Sequence, residues 1–174
     1  MNIYISPPEQ IRTYLDLMMR SQWLMLEYVI DNSAPPSEGQ THSLEARLTT
    51  EQGQFAFYGK AFRKLPRFDL PQVTIDQLDT IDDRWMNQVV KIDLASRSVK
   101  SAALLWTAEE YAGRSGTFSS DDKIIYTSGV IFDFADLTSL IISASQFEPD
   151  ILIISDPAAI EKHIAKLHHV EYLP

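Results

Sequence analysis

A mainly β chain whose second half mixes strands with helices is the fold class this sequence predicts, and three observations carry it. Through the first half, short runs rich in β-forming residues ("WLMLEYVI", "HSLEARLTT", "QFAFYGKAF") are separated by turn residues. Further along, apolar runs such as "KIIYTSGVIFDF" and "DILIIS" alternate with stretches of helical spacing. The longest apolar runs are far shorter than the roughly 20 residues a membrane helix needs. These features predict a small SH3-like or Sm-like barrel over residues 1–85. A ferredoxin-like α/β sandwich is expected over residues 86–174. The boundary falls near Arg84–Asn87, too short for a loose tether, so the halves are expected to pack together.

In chain order, "SPPEQIRTYLDLMMR" reads as a helix with a capping box, Ser6 as cap, Pro7 at the first helical position and Glu9 three residues after the cap. Ile11, Tyr14, Leu15 and Met18 recur at helical spacing and form its apolar face. Trp23–Ile30 reads as a buried strand, and "DNSAPPSEGQ" as a loop. Two further strands meet at the turn "EQGQ", and "QVTIDQLDTIDD" is a strand running into an irregular, acidic edge. In the second half, "QVVKIDLA" is a strand. "SRSVKSAALLW" is predicted to be a short helix with Val99, Ala102, Ala103 and Trp106 inward. "KIIYTSGVIFDF" is a long strand after "SSDD", and "DLTSLIISASQF" a helix burying Leu137, Leu140, Ile141 and Ala144. "DILIIS" is a buried strand, and "DPAAIEKHIAKLHHV" a helix capped by Asp156, with Pro157 in its first turn and Ile160, Ile164 and Leu167 inward.

The second half resembles the WCX domain, the C-terminal extension of WYL-domain regulators, most clearly in "SQFEPDILIISDPAAIEKHIAKL". Glu148 stands where that family has Gly before Pro149. The first half is similar to the WYL domain that precedes WCX: "GQFAF" occupies the Gly-x-Trp-Tyr-Leu position, so Phe55, Ala56 and Phe57 take the signature positions. "VTIDQLDTI" lies where the family has Phe-Arg-Leu-Asp-Arg-Ile; Asp76 matches, and Thr74 and Gln77 replace the two arginines. The resemblance implies a non-enzymatic regulatory, ligand-sensing module linked to transcription, with Phe57, Thr74 and Gln77 at the ligand positions. Such proteins usually carry a DNA-reading helical domain ahead of WYL. Residues 1–20 hold a single helix, so direct double-stranded DNA binding is not expected of this chain. The alternative is a structural dimerisation or adaptor module that binds a partner protein and no small ligand.

Charge and composition narrow the chemistry. Residues 1–85 hold 8 Lys/Arg against 12 Asp/Glu, and residues 86–174 hold 7 against 12, so both halves are acidic and the chain carries −9. Neither half presents the general basic face that phosphate contact requires. The exception is "GQFAFYGKAFRKLPRF", where Lys60, Arg63, Lys64 and Arg67 stand among Tyr58, Phe62 and Phe68 without an acidic residue. That composition suits a nucleotide, a single-stranded nucleic acid or an acidic protein surface; otherwise the stretch is a solvated loop with its aromatics turned inward. With no cysteine there are no disulfides or thiolate metal sites, which fits a reducing cytoplasm. His163 and His168 are five apart, not the four of a helical metal pair. Their expected role is to sit as cations near a helix C-terminus. Asp76, Asp79, Asp82 and Asp83 lack the Gly and distal Glu of a calcium loop and read as a solvated edge. "YAGRSGT" lacks the lysine of a phosphate loop. No catalytic set, metal site or cofactor is expected, and self-association as a symmetric dimer is.

Overall fold

The computed structural model of the chain describes residues 2–33, 38–65, 68–79, 89–110, 122–145 and 150–174, with the side chains of Glu9 and of residues 61–69 excepted. Over those residues it forms strands β1 (Asn2–Ile5), β2 (Trp23–Ile30), β3 (Gln40–Thr50), β4 (Gly53–Leu65), β5 (Phe68–Leu78) and β6 (Val89–Asp93). Strands β7 (Val99–Glu110), β8 (Lys123–Phe134), β9 (Ser139–Ala144), β10 (Ile151–Ile154) and β11 (His169–Tyr172) follow, with helices α1 (Glu9–Met19) and α2 (Pro157–Ile164). The chain is mostly β, as expected, and its sheet curls into a half-barrel.

Strand β3 is where the sheet divides. One side pairs with β2 from Trp23↔Thr50 to Ile30↔Ser43. The other side pairs first with β10, from Gln40↔Ile154 to Ser43↔Ile151, and then with β4, from Ala46↔Phe57 to Thr50↔Gly53. Beyond β10 the order runs β9, β8, β7, β11; beyond β4 lies β5, and beyond β2 lies β6. All these pairs are antiparallel, whereas β1 joins β8 in parallel at Asn2↔Lys123 to Ile5↔Tyr126. The β2–β6 and β3–β10 pairs therefore carry one sheet across the expected division at residue 85, in place of a separate barrel and sandwich. Residues 84–87 themselves lie outside the described residues.

The reason is visible in the cores. Leu26, Leu48, Phe55 and Phe57 line one face of the first strands and need a cover. Phe132, Phe134, Ile142 and Ile151 of the second half supply it, while Ile11, Leu15 and Met18 of α1 join the same core. Trp23 anchors the junction: its ring meets Phe132 edge-on at 4.8 Å and Phe134 at 5.4 Å, and its indole N–H donates to the Met18 carbonyl at 2.9 Å. The opposite face of β7–β10 carries a second core, Ala103, Leu105, Ile131, Ile141 and Ile154, covered by Ala159 and Ile160 of α2.

Four local expectations are corrected. Residues 99–110, read as a helix up to Trp106, form β7, with Ala102 in the first core and Ala103 in the second. Likewise β9 replaces the helix read over "DLTSLIISASQF": Leu140 and Ile141 face opposite cores, and Leu137 projects from the turn, 90% exposed at φ 68°. A strand buried on both faces shows no polar–apolar alternation, so its apolar run imitates a helical stripe. Helix α1 starts at Glu9 with Pro8 as its N-cap and no side-chain cap. The pair Pro7–Pro8 explains the delay, because the residue before a proline is driven out of the helical region. Ser6 is therefore not the N-cap. Helix α2 does start as read, Asp156 accepting from the Ala159 N–H at 2.9 Å. It ends at Ile164, and the residues read as its continuation turn into β11.

Candidate functional site

The basic stretch is a β-ribbon by its backbone, not a loop. Strands β4 and β5 pair from Gln54↔Leu78 through Lys60↔Gln72 to Phe62↔Leu70, and again at Leu65↔Phe68 after an irregularity. Lys60, Arg63 and Lys64 all stand in the distal half of β4. Arg67 lies outside the described residues, as do the side chains of Arg63 and Lys64. Among the described residues, β5 has no strand partner besides β4.

Strand alternation sorts the remaining candidates. Phe57 is fully buried in the first core, 6.3 Å from Phe132, and offers no surface to a ligand. Tyr58 and Thr74 are opposite each other on the outer face, and Lys60 and Gln72 continue that face. Lys60 is exposed, while Gln72 is 3% exposed with an amide nitrogen that lacks a hydrogen-bond partner among the described residues. Gln77 has the other parity; its amide donates to the Gln52 carbonyl at 3.3 Å beside the Thr50–Gly53 turn. The fold therefore brings Lys60 and Thr74 together and separates them from Phe57 and Gln77. The same outer face also holds Asp76, whose carboxylate accepts the Tyr58 hydroxyl, and Arg47, paired with Glu45 at 2.9 Å. Burial, with the Asp76 hydrogen bond and charge added, pushes the Tyr58 phenol up to about 12.

A second cluster was not anticipated from sequence. Asp31 follows β2, His42 lies in β3, Ser145 follows β9 and Asp150 precedes β10. The backbone N–H of Asp31 donates to the His42 carbonyl at 2.8 Å, and that of Ser145 to the Asp150 carbonyl at 3.0 Å. The Ser145 hydroxyl lies 3.4 Å from His42 Nδ1. Burial, then the Asp31 hydrogen bond and charge, push Asp150 up to about 6. Asp31 is held below its ordinary value, first by the Ser33 hydroxyl at 2.7 Å. The members are separated by up to more than a hundred residues in sequence, and the only local signal was the Asp31-x-Ser33 turn.

Histidines near the C-terminus do not gather into a site. His163 is held below its usual range, by burial first and then by the Lys166 charge, which opposes the cationic role expected for it. His169 stacks on Trp106 with ring centroids 5.3 Å apart. Among the described residues no group of three or more His, Asp or Glu is placed to hold a metal, and no helix is long and apolar enough to cross a membrane. Asp82 and Asp83 of the acidic edge and "YAGRSGT" lie outside the described residues. Comparison with protein-family models, curated proteins and solved structures gives no match.

Proposed function

We propose that this chain is a non-enzymatic regulatory module of the WYL–WCX type, linked to transcription, that takes an anionic partner on its β4–β5 ribbon. The observation that carries this reading is the ribbon itself. Its distal half concentrates Lys60, Arg63 and Lys64 on one strand of an otherwise acidic protein. At its base, exposed Lys60 stands opposite Gln72, whose buried amide nitrogen has no acceptor among the described residues. A donor buried without a partner costs about 1–3 kcal/mol, so an incoming phosphate or carboxylate oxygen is favoured there. Aromatic residues in the same stretch supply stacking worth roughly 1–3 kcal/mol per base, which makes single-stranded nucleic acid the leading partner. The overall −9 charge opposes polyanions at long range, so binding is weak and steeply salt-dependent.

Titration of labelled single-stranded DNA and RNA at low salt tests the reading, with an acidic peptide as a second arm. The Lys60/Arg63/Lys64/Arg67→Ala variant should lose binding while keeping its thermal melting. Equal affinities for wild type and variant remove the ribbon and leave the dimerisation or adaptor reading in front. That second reading has support of its own, since β6 and β11 each pair on one side only among the described residues. Such edges are templates for another strand. Light scattering that gives only a 19.8 kDa species at high micromolar concentration would count against a dimer.

A further inference from the structure

Helix α2 lies over the second core. Its Ala159 and Ile160 are buried, and Ile164 and Leu167 pack beside them. The Gly39 backbone comes so close that a Cβ there would lie 2.8 Å from Ala159 Cβ. His163 stands three residues after Ile160 and so shares the inward side of the helix. Its Nε2 is buried and has no hydrogen-bond partner among the described residues. A neutral imidazole can keep its proton on Nδ1 and leave Nε2 bare, whereas an imidazolium carries N–H on both nitrogens. Protonation therefore puts a charged donor where no described group accepts it. We propose that His163 is an acid-operated release for α2: neutral, it lets the helix lie on the second core, and once protonated it lifts the helix off the apolar face of β7–β10.

The titratable groups around α2 are held elsewhere. On the helix and just after it, Glu161, Lys162 and Lys166 are exposed, and Asp156 is turned to the Ala159 N–H. Beside Gly39, Glu38 is exposed. Strands β9 and β10 contain no charged residue. On the sheet face that α2 covers, strand parity places Asp133 and Glu109. Asp133 accepts the Ser101 and Ser139 hydroxyls at 2.9 and 2.7 Å, and Glu109 accepts the Tyr126 hydroxyl. Tyr172 of β11 shares that face, and so does His42, opposite Leu152, with Asp150 just before β10. Glu171 faces the first core, held by Arg12 and Trp106, and the rings of His169 and His168 meet Trp106 and Tyr4. Among the described residues no ion pair includes His163. Burial first, and then the Lys166 cation, hold it below its usual range.

The sign follows from linkage. Off the core, His163 takes up its proton at the ordinary 6.5; docked, it does so only in more acidic solution. Docking of α2 is therefore fully favoured above 6.5 and weakens as pH falls below it. Between about pH 7.5 and about pH 5.5 the opening constant rises by up to about tenfold, the limit set by a docked His163 that stays neutral throughout.

A helix of 8 residues does not persist alone in water, so the amides of α2 report its undocking. Those of Ile160, Ala165 and Lys166 are bonded to the Asp156, Glu161 and His163 carbonyls. Hydrogen exchange on the intact chain, corrected for intrinsic rates, should show their protection falling by up to about tenfold from about pH 7.5 to about pH 5.5. The amides of β7 and β8 should stay level. His163→Leu removes the titrating group and leaves an apolar contact, so the fall should vanish. Protection of α2 that does not fall in wild type, a fall shared equally by β7 and β8, or the same fall in His163→Leu overturns the proposal. If His163→Leu fails to fold, proton NMR titration of the wild-type imidazoles decides. A His163 midpoint below 6.5 supports the release, and one at or above 6.5 overturns it.

Discussion

Strands β8 and β4 are both long and central, yet they are built on opposite terms. From Ile124 to Phe132 every residue of β8 is buried, because the first core lies on one face and other elements cover the other. Strand β4 buries Phe55 and Phe57 on its inner face and carries Tyr58 and Lys60 on its outer face, partly or fully in water. The difference separates two jobs. Residues of β8 hold the sheet together and have no surface to offer, whereas the outer face of β4 is available for recognition.

The largest test of that contrast is Phe132→Ala. Phe132 is fully buried and touches the rings of both Trp23 and Phe57, so its loss should cost about 3–5 kcal/mol in urea denaturation. Lys60→Ala, on the exposed face, should stay within about 0.5 kcal/mol of wild type. Comparable losses at the two positions would break the distinction between scaffold and recognition surface.

Gly129→Ala sharpens it within β8. A Cβ there would lie 2.7 Å from both the Ile142 carbonyl oxygen and Ser143 Cα, which are backbone atoms of β9 and cannot swing aside. Forcing the two strands apart should cost about 1–3 kcal/mol, as overpacking does. A variant as stable as wild type would mean that β8 and β9 lie farther apart than described. Smaller still is Asp156→Ala, which removes the N-cap of α2 over the second core and should cost about 1 kcal/mol. An Asn at the same position should restore most of that stability.

The same contrast explains what the sequence disclosed. Strands β2 to β6 were legible because one face is apolar and the other polar, or because Gly and Asp mark their turns. Strand β8 was legible through its Ile, Val, Tyr, Thr and Phe content, which favours strands even without alternation. Its neighbours β7 and β9 misled. Ala102, Ala103, Leu104 and Leu105 are good helix formers, and burial on both faces erased the period of two that would have opposed them. Strand β11 was hidden because His169 to Tyr172 continue an apolar spacing begun by α2 and owe their strand state to pairing with β7. At the ribbon, composition alone marked the basic residues. Strand parity, which separates Lys60 and Thr74 from Phe57 and Gln77, required the register. The cluster of Asp31, His42, Ser145 and Asp150 depends on the β3–β10 pairing, and no local pattern announces that segments so distant come together.

On the outer face itself, the smallest expected effect is a shift in the titration of Tyr58. Its hydroxyl donates to the Asp76 carboxylate, and partial burial together with that bond and charge holds the phenol at about 12 instead of 10.0. A phenol held neutral in the folded state favours folding fully below its unfolded value. That contribution is lost as pH rises from about 10 to about 12, so alkaline unfolding should steepen in this window. Asp76→Asn removes the charge and leaves the burial, so Tyr58 should titrate at lower pH than in wild type but still above 10.0. At neutral pH the stability change should be small, because the asparagine carbonyl still accepts the hydroxyl. Ultraviolet difference titration of tyrosinate, with Tyr58→Phe to assign the transition, separates this residue from the other tyrosines. An Asp76→Asn curve that overlays the wild type would mean the Tyr58–Asp76 bond is absent in solution. The outer face of β4 and β5 would then be less ordered than the core it covers.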